Sequence, residues 1–333
     1  MSTITSNENR DHWFEGQPWS LCKAPNYYGA SSLEEISAER ISEFEFRNMY
    51  TKKNRPCLIK GAAKHWSALQ NWKNLVYLKE HTESSVTVSA RTRTMPEFVS
   101  EASPSIKENL LEEHASLFQK MSFHDFLDLA KDDKSNSQLV IHAWPLLKEG
   151  VFSQLFRDVA GFPFLARPAN SRLYPPHRVF FYSGSYTDWH YHPMDETLMT
   201  QVVGSKEVLL LPPDSKSWKT LWPLVRQKGY LFDVDPTIFP KFSALRPYKT
   251  IVEPGDALYI PVFWWHAVQS VDNCFGVTIA ATFRTPLGIN FNLKFPAARH
   301  NVKKLLFSRE IRRYGIKRLL KRRQASGGMN KGN

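Results

Sequence analysis

The chain has 333 residues, of which 42% are hydrophobic and 23% are charged. These proportions are typical of a folded globular protein and exclude a disordered chain, a collagen and a coiled coil. No run reaches 18 apolar residues and the first residues are polar, so we expect neither a membrane span nor a secretory signal. Three distant cysteines (Cys22, Cys57 and Cys274) cannot make a disulfide framework, which predicts an intracellular protein, cytoplasmic or nuclear.

The net charge of +12 is concentrated at the C-terminus. From Lys294 onward the chain contains 13 of its 44 Lys and Arg residues but only one acidic residue, Glu310. The preceding part holds 31 basic and 31 acidic side chains and is neutral overall. We interpret the protein as a neutral globular body with a basic tail. Three roles of that tail stay open: a helix that docks on the body or forms a dimer, a segment that contacts the phosphates of a nucleic acid, and a nuclear localisation patch at Lys317–Arg323.

The pattern of predicted elements divides the chain into four parts. Ser32 and Glu35 have the spacing of a capping box, which predicts a helix start there. Further on, short apolar runs recur between Gly, Pro and Asp, as is typical of a β-sandwich or barrel. The parts are residues 1–35, irregular; 36–137, an α/β extension; 138–286, a barrel with an insertion at 218–247 over its mouth; and 287–333, a basic helical tail.

Three histidines are the first candidates for chemistry. His190 and His192 lie two positions apart in a predicted strand, so their side chains point to one face. Glu196 has the same parity if the strand continues without a bulge. His266 comes 74 residues after His192, and a neighbouring strand can bring its imidazole to the same place. Imidazoles with an optional carboxylate suit Fe(II) and also Zn, Cu, Ni or Mn. A His-x-His pair alone is usually accidental, so the surrounding motifs decide.

Those motifs resemble two known groups of proteins. The spacing of two Gly- and His-containing strings is similar to that of cupin barrels, although Phe263 stands where a glycine is usual. The match is closer to the JmjC-type 2-oxoglutarate oxygenases, in particular to the small hydroxylases such as the factor-inhibiting asparaginyl hydroxylase and the tRNA wybutosine hydroxylase. The strings that carry this resemblance are Arg55–Trp66, Thr187–His192, Gln201–Lys206, Leu211–Pro213, Pro254–Pro261 and Trp264–His266.

The resemblance implies a mainly β fold, a double-stranded β-helix with an α/β N-terminal extension and C-terminal helices. It implies Fe(II) and 2-oxoglutarate as cofactors, and no catalytic residue beyond the metal ligands. The implied metal ligands are His190, His192 and His266, with Asp195 or Glu196 as reserve ligands. The implied 2-oxoglutarate contacts are the hydroxyl of Thr187 and the ammonium of Lys206.

The sequence departs from this family at several positions. His192 stands where the family has Asp or Glu, so the ligand set lacks one negative charge. One extra residue lies between His190 and Gly204, and a bulge would let Asp195 or Glu196 reach the metal instead. The tyrosine that helps to hold 2-oxoglutarate has no counterpart near Leu139–His142.

Three functions therefore stay open. The first is an Fe(II)- and 2-oxoglutarate-dependent hydroxylase or demethylase that acts on a protein, an RNA or a small molecule. The second is a three-histidine metal cupin that does not use 2-oxoglutarate. The third is a cupin-like binding module without turnover. The related small hydroxylases often dimerise through C-terminal helices, so we also expect a homodimer, with the basic tail free to contact nucleic acid and no membrane partner.

Overall fold

This computed structural model describes residues 20–91, 118–131, 139–141, 144–166, 168–171, 173–228, 231, 240–272 and 274–307. The strands are β1 (Ser31–Ser32), β2 (Glu35–Ser37), β3 (Cys57–Lys60), β4 (Thr87–Arg91), β5 (Phe118–Ser122), β6 (Leu139–Ile141), β7 (Trp144–Pro145), β8 (His177–Ser183), β9 (Asp195–Val203), β10 (Lys206–Leu211), β11 (Tyr248–Val252), β12 (Ala257–Ile260), β13 (Trp265–Ser270) and β14 (Phe275–Arg284).

The helices are short, and most of them cover the sheets. They are α1 (Glu43–Glu45), continued by a π-helix (Phe46–Thr51); α2 (Ala68–Asn71); α3 (Leu75–Glu80); α4 (Phe123–Lys131); α5 (Ser153–Phe156); α6 (Ser215–Lys228); α7 (Leu287–Asn290); and α8 (Pro296–Phe307). Two 3-10 helices span Leu21–Lys23 and Pro240–Ala244. Among the residues described, no helix combines the length and the apolar character that crossing a bilayer requires.

The strands form two sheets. The smaller sheet has the order β1-β11-β10-β13, and the larger one has the order β2-β3-β12-β9-β14-β8-β6-β4-β5, with β7 beside β8. All pairs are antiparallel except β1 with β11 and β2 with β3, which are parallel. This architecture confirms the predicted mainly β fold class, a jelly roll of the cupin type.

The alternation of side chains along β10 shows how the two sheets pack. Val208 and Leu210 belong to one buried cluster with Leu258 of the larger sheet, so these residues fill the space between the sheets. Leu209 and Leu211 point to the opposite face and join a second cluster that α6 covers. A strand that is buried on both faces reads as a continuous apolar run, as β10 does.

A third cluster covers the outer face of the larger sheet. It includes Trp72, Phe123, Phe126 and Phe181, which come from the helices of the N-terminal region and from β8. Strands β2 and β3 extend the same sheet next to β12. The N-terminal extension therefore shares both a sheet and a core with the barrel strands. The four boundaries themselves stay predictions.

Two sequence-based expectations need correction or completion. The capping box is formed by Ser42 and Glu45 at the start of α1, not by Ser32 and Glu35. Residues 35–37 are instead strand β2, because pairing with β3 outweighs the local capping signal. In the predicted insertion, α6 is the main element. Of the predicted basic tail, the structure describes residues 287–307 with α7 and α8, and residues 308–333 lie outside the described part.

Candidate metal centre

Backbone pairing brings the first and last of the three histidines together. His190 lies in the connection from β8 to β9, and His266 is the second residue of β13. The two form an isolated antiparallel bridge, in which each backbone N–H donates to the other residue's carbonyl at 3.0 and 2.8 Å. Side chains of such directly opposed residues lie on the same face. The centroids of the two rings are accordingly 4.1 Å apart.

A second backbone contact places His192 in the same group. The carbonyl of His192 accepts a hydrogen bond of 2.9 Å from the N–H of Phe263, in the turn that leads to His266. Its ring centroid lies 5.6 Å from that of His190 and 4.8 Å from that of His266. One ligating nitrogen of each histidine lies within 4.8 Å of those of the other two. The three imidazoles therefore converge, as the metal-site prediction requires.

The Nδ1 atoms of the three rings all have hydrogen-bond partners. Nδ1 of His190 lies 2.9 Å from the carbonyl of Asp188, and Nδ1 of His266 lies 3.0 Å from the carbonyl of Trp264. Because a carbonyl only accepts, both rings carry their proton on Nδ1. Nδ1 of His192 lies 2.8 Å from the hydroxyl of Thr197. The two carbonyl contacts leave the Nε2 lone pairs of His190 and His266 for a metal, as in known histidine–metal sites.

Burial keeps two of these rings neutral. It lowers the pKa of His192 well below its ordinary value, and the neighbouring His190 and then Arg178 act in the same direction. Burial also lowers the pKa of His266 well below 6.5, with further lowering by the other two imidazoles. A neutral imidazole is the form that binds a metal ion. His192 and His266 are therefore in the metal-binding form at neutral pH.

The two reserve carboxylates do not join this group. The chain bends at residues 193–194 and β9 begins only at Asp195, so the predicted parity does not carry across from His192. Asp195 accepts hydrogen bonds from the N–H of Leu173 at 2.8 Å and from the hydroxyl of Ser171 at 3.2 Å. It lies outside the set of ligand atoms that converge.

Glu196 faces the outer core instead of the metal group. Its Oε2 accepts from the hydroxyl of Tyr259 at 2.9 Å and from the N–H of Val262 at 3.0 Å. Complete burial raises the pKa of Glu196 to about 7, although these hydrogen bonds act in the opposite direction. Since Val262 belongs to the turn before His266, Glu196 is a support of the site and not a ligand.

The predicted contacts of 2-oxoglutarate lie along β13. The hydroxyl of Thr187 accepts from the N–H of Val268 at 3.0 Å, and Lys206 pairs with Ser270 in the sheet. His266, Val268 and Ser270 share one face of β13 because they are two residues apart. This face therefore carries the metal group at one end and the Lys206 ammonium at the other, and the Thr187 hydroxyl is bonded to the backbone of β13 between them.

A family model described as a cupin-like domain matches residues 42–286, which is most of the chain. The chain belongs to the cupin-like domain family. Its curated relatives include Jumonji C domain-containing protein 5 of Drosophila melanogaster, 25% identical over 74% of this chain and 59% of that protein. Lysine-specific demethylase JMJ30 of Arabidopsis thaliana is 27% identical over 68% of this chain and 49% of that protein. The tRNA wybutosine-synthesizing protein 5 of Homo sapiens is 26% identical over 50% of each chain.

The match is limited in length. The cupin-like chain described here spans about half the length of the curated relatives that it matches, from 49% to 59% of the first three. What the names of these relatives state about demethylation or tRNA modification describes those proteins. The comparisons therefore assign the family and its JmjC type, and the activity of this chain is a separate question.

Around Lys206, the cupin-like domain contains residues that the sequence did not indicate. The Nζ atom of Lys206 lies 3.5 Å from the ring centroid of Tyr182 and 3.1 Å from Oγ of Ser270, and it also donates to Oγ of Ser185. Tyr182 lies on β8, opposite Gly276 of β14, where any side chain would overlap its ring. The one available signal was the alternation of β8, which turns Tyr182 inward while Phe181 joins the outer core.

Proposed function

We propose that the protein is a JmjC-like oxygenase, a hydroxylase or demethylase, that uses Fe(II) and 2-oxoglutarate. The observation that carries this proposal is the convergence of three imidazoles, each with a hydrogen-bond partner at Nδ1, at one end of a barrel face whose other end holds a buried lysine. The membership of the cupin-like family and the names of the demethylase and wybutosine relatives support the same reaction class.

The ligand set fits a divalent transition metal. His190, His192 and His266 provide three nitrogen donors from one side, and imidazole is a suitable ligand for Fe, Zn, Cu and Ni. Backbone carbonyls set the tautomers of His190 and His266, and the hydroxyl of Thr197 holds the ring of His192, so the rings are oriented before a metal arrives. The three histidines would hold the ion, and a co-substrate would have to approach it from the side that they leave open.

The surroundings of Lys206 fit an anionic co-substrate. Its side chain is 4% exposed, and among the described residues no carboxylate lies within 4 Å of its Nζ. The charge of Asp272 favours the ammonium only in part against burial, and a carboxylate bound in direct contact would offset the remaining cost. Thr187 adds a hydroxyl between this cation and the histidines.

Each residue then has a defined task. The histidines hold the ion, Thr187 and Lys206 orient a dicarboxylate, and Val268 with its apolar neighbours excludes water from the space between the sheets. Fe(II) with 2-oxoglutarate and dioxygen supplies the oxidising power for hydroxylation or demethylation. The reacting bond belongs to the substrate, for which a protein side chain, an RNA base and a small molecule stay as candidates.

A second function is favoured by one specific observation. His192 replaces the carboxylate ligand of the JmjC family, and neither Asp195 nor Glu196 supplies the missing negative charge. A neutral three-histidine set leaves the full charge of the ion to be balanced by the substrate. A three-histidine metal cupin that does not use 2-oxoglutarate is therefore the alternative.

The test combines metal analysis with co-substrate consumption. Purified protein is loaded with Fe(II) without oxygen and then assayed for succinate formation and oxygen uptake, with and without 2-oxoglutarate. We expect consumption of 2-oxoglutarate that depends on Fe(II), and loss of bound metal in His266→Ala. Lys206→Met should weaken 2-oxoglutarate binding about 10- to 100-fold, the value of one charge-assisted hydrogen bond.

Lys120→Met is the matched control, because Lys120 is an exposed lysine of β5. Oxygen uptake that needs the metal but not 2-oxoglutarate would establish the three-histidine alternative. If the purified protein binds no metal and 2-oxoglutarate does not change its melting temperature, only the third function, a binding module without turnover, would remain.

A further inference from the structure

Helices α6 and α8 together carry seven Lys and Arg residues and no Asp or Glu. Six of these cations are exposed, and we call them the basic face. They are Lys216, Lys219, Arg226, Arg299, Lys303 and Lys304. Among the described residues, none of the six lies within 4 Å of a carboxylate. Such a face is an unbalanced positive surface in a globular body that is neutral overall.

The two helices pack against each other, so their charges add. The ring of His300 on α8 lies 4.8 Å from that of Trp222 and 5.7 Å from that of Trp218, both on α6. Arg226 of α6 and Lys303 and Lys304 of α8 are close enough to His300 to lower its pKa, after the larger effect of burial. The basic face is therefore one surface made by two helices.

The basic face adjoins the metal centre. The side-chain amide of Asn301 on α8 donates to the carbonyl of Pro193 at 3.1 Å, one residue after His192. Tyr191, between the two ligands, packs edge-on against Trp218 with centroids 5.7 Å apart. A ligand held on α6 and α8 thus lies next to the segment that carries two of the three histidines.

The chain continues the same charge pattern beyond α8. Residues 308–333 contain nine further Lys and Arg residues and a single acid, Glu310. Repeated cations over such a length suit a ligand with repeated anionic groups. Half-buried aromatic rings beside the cations, those of Trp218 and Trp222, are the other component of surfaces that bind single-stranded nucleic acids.

We propose that the basic face binds single-stranded RNA or DNA and holds it beside the metal centre as the substrate. This inference rests on the proposed function, because it names the substrate class of that oxygenase site. A nucleic acid offers both regular phosphates for the lysines and unstacked bases for the metal centre. Protein-bound single strands need no base-pair opening before a base enters such a site.

The experiment is a binding titration of the full chain with fluorescent 20-nucleotide RNA and DNA strands of mixed sequence, between 50 and 200 mM salt. We expect binding whose logarithmic salt slope is negative. In the variant Arg226→Gln/Lys303→Gln/Lys304→Gln, the slope should decrease in magnitude by about 2, at about 0.7 per lost phosphate contact. The dissociation constant at 50 mM salt should rise at least about tenfold, since several phosphate contacts are lost.

The matched control is Lys52→Gln/Lys53→Gln/Lys73→Gln, which removes the same charge from three exposed lysines of the N-terminal region. This control should bind like the wild type. Equal affinity of the two triple variants would overturn the proposal, because the tail or net charge alone would then explain binding. No binding of either nucleic acid at 50 mM salt would overturn it as well.

A further arm uses vesicles with anionic lipid, because three exposed apolar side chains lie just before α8. They are Leu287, Phe291 and Leu293, which are 59%, 54% and 55% exposed. Vesicle binding without nucleic-acid binding would overturn the proposal in favour of a membrane surface. Since these titrations need no turnover, their failure is distinguishable from failure of the oxygenase assay.

Discussion

At the scale of single residues, Glu196 combines complete burial with two donors on one carboxylate oxygen, Oε2. Among the residues that the structure describes, none makes a hydrogen bond of good geometry to Oε1, although the hydroxyl of Thr285 lies close enough to lower the pKa of Glu196. Such an acid is easier to keep protonated than ionised. Glu196 therefore connects the turn at Val262 to the core, and its ionisation above its pKa of about 7 destabilises the folded state.

The pH dependence of stability should report this cost. The pKa of Glu196 rises from 4.5 when unfolded to about 7 when folded, so the folded state binds more protons between these values. The free energy of unfolding should thus fall as pH rises through this range, by an amount of about 3 kcal/mol. Urea unfolding from pH 4.5 to 8 should show this decrease in the wild type and not in Glu196→Gln. Parallel curves for the two proteins would refute the assignment.

Lys206 should lower the stability of the ligand-free protein, although we propose that it strengthens binding of 2-oxoglutarate. Burial lowers the pKa of Lys206 well below its ordinary value of 10.5, so the unfolded state binds one more proton between the folded pKa and 10.5. The free energy of unfolding should therefore rise with pH between these two pKa values. Lys206→Met removes this cost, and we expect the ligand-free protein to gain at least about 1 kcal/mol at pH 7. Thermal melts from pH 6 to 9 would measure the gain. A variant less stable than the wild type at every pH would mean that the hydroxyl contacts outweigh burial.

At the scale of elements, the turn between β12 and β13 matters most. Phe263 has φ +71°, a left-handed conformation that disfavours residues other than glycine. Its N–H nevertheless bonds the carbonyl of His192, and its buried ring packs against Phe295 at a centroid distance of 5.9 Å. Packing thus compensates the strain of the position at which cupin motifs usually have glycine.

Two substitutions at this position separate strain from packing. Phe263→Ala keeps the strain and loses the buried ring, so it should destabilise the protein by about 3–5 kcal/mol. Phe263→Gly also loses the ring but relieves about 1 kcal/mol of strain, and should be the more stable of the two. Chemical denaturation with a shared m-value checks this order. If the alanine variant were the more stable one, the turn would not be left-handed in solution.

At the scale of the whole molecule, the candidate metal centre lies where the two sheets meet. His190 and His192 extend from the connection between two strands of the larger sheet, whereas His266 lies on β13 of the smaller one. A bound ion therefore stabilises the packing of one sheet on the other. Binding to the folded state alone adds about 2.7 kcal/mol when the free metal is 100 times its dissociation constant.

Removal of the metal should consequently lower the melting temperature. For a chain of this size we expect a decrease of about 5 °C after chelation, with recovery when Fe(II) or Zn(II) is returned. His266→Ala should melt at the same temperature with and without chelator. A chelator effect of equal size in that variant would place the stabilising ion somewhere else.

Residue types and spacing alone predicted the mainly β fold, the three histidines and the family resemblance. These features depend on local rules: alternation along strands, punctuation by Gly and Pro, and motifs whose members are adjacent in sequence. The three rings lie together because the bridge between His190 and His266 needs only that two strands pair, and their role as metal ligands stays a prediction. The sequence motifs around His190 and His266 were sufficient to indicate that these two segments pair.

The tertiary structure alone decided which side chains surround the histidines. The bend at residues 193–194 reverses the parity on which Glu196 depended, and it places Thr197 beside His192 instead. Tyr182 and Ser270 reach Lys206 from strands 24 residues before and 64 residues after it. Such contacts depend on the register between distant strands, which is set by the packing of two complete sheets. A local sequence pattern does not encode that register, so the contacts of the site came only from the folded chain.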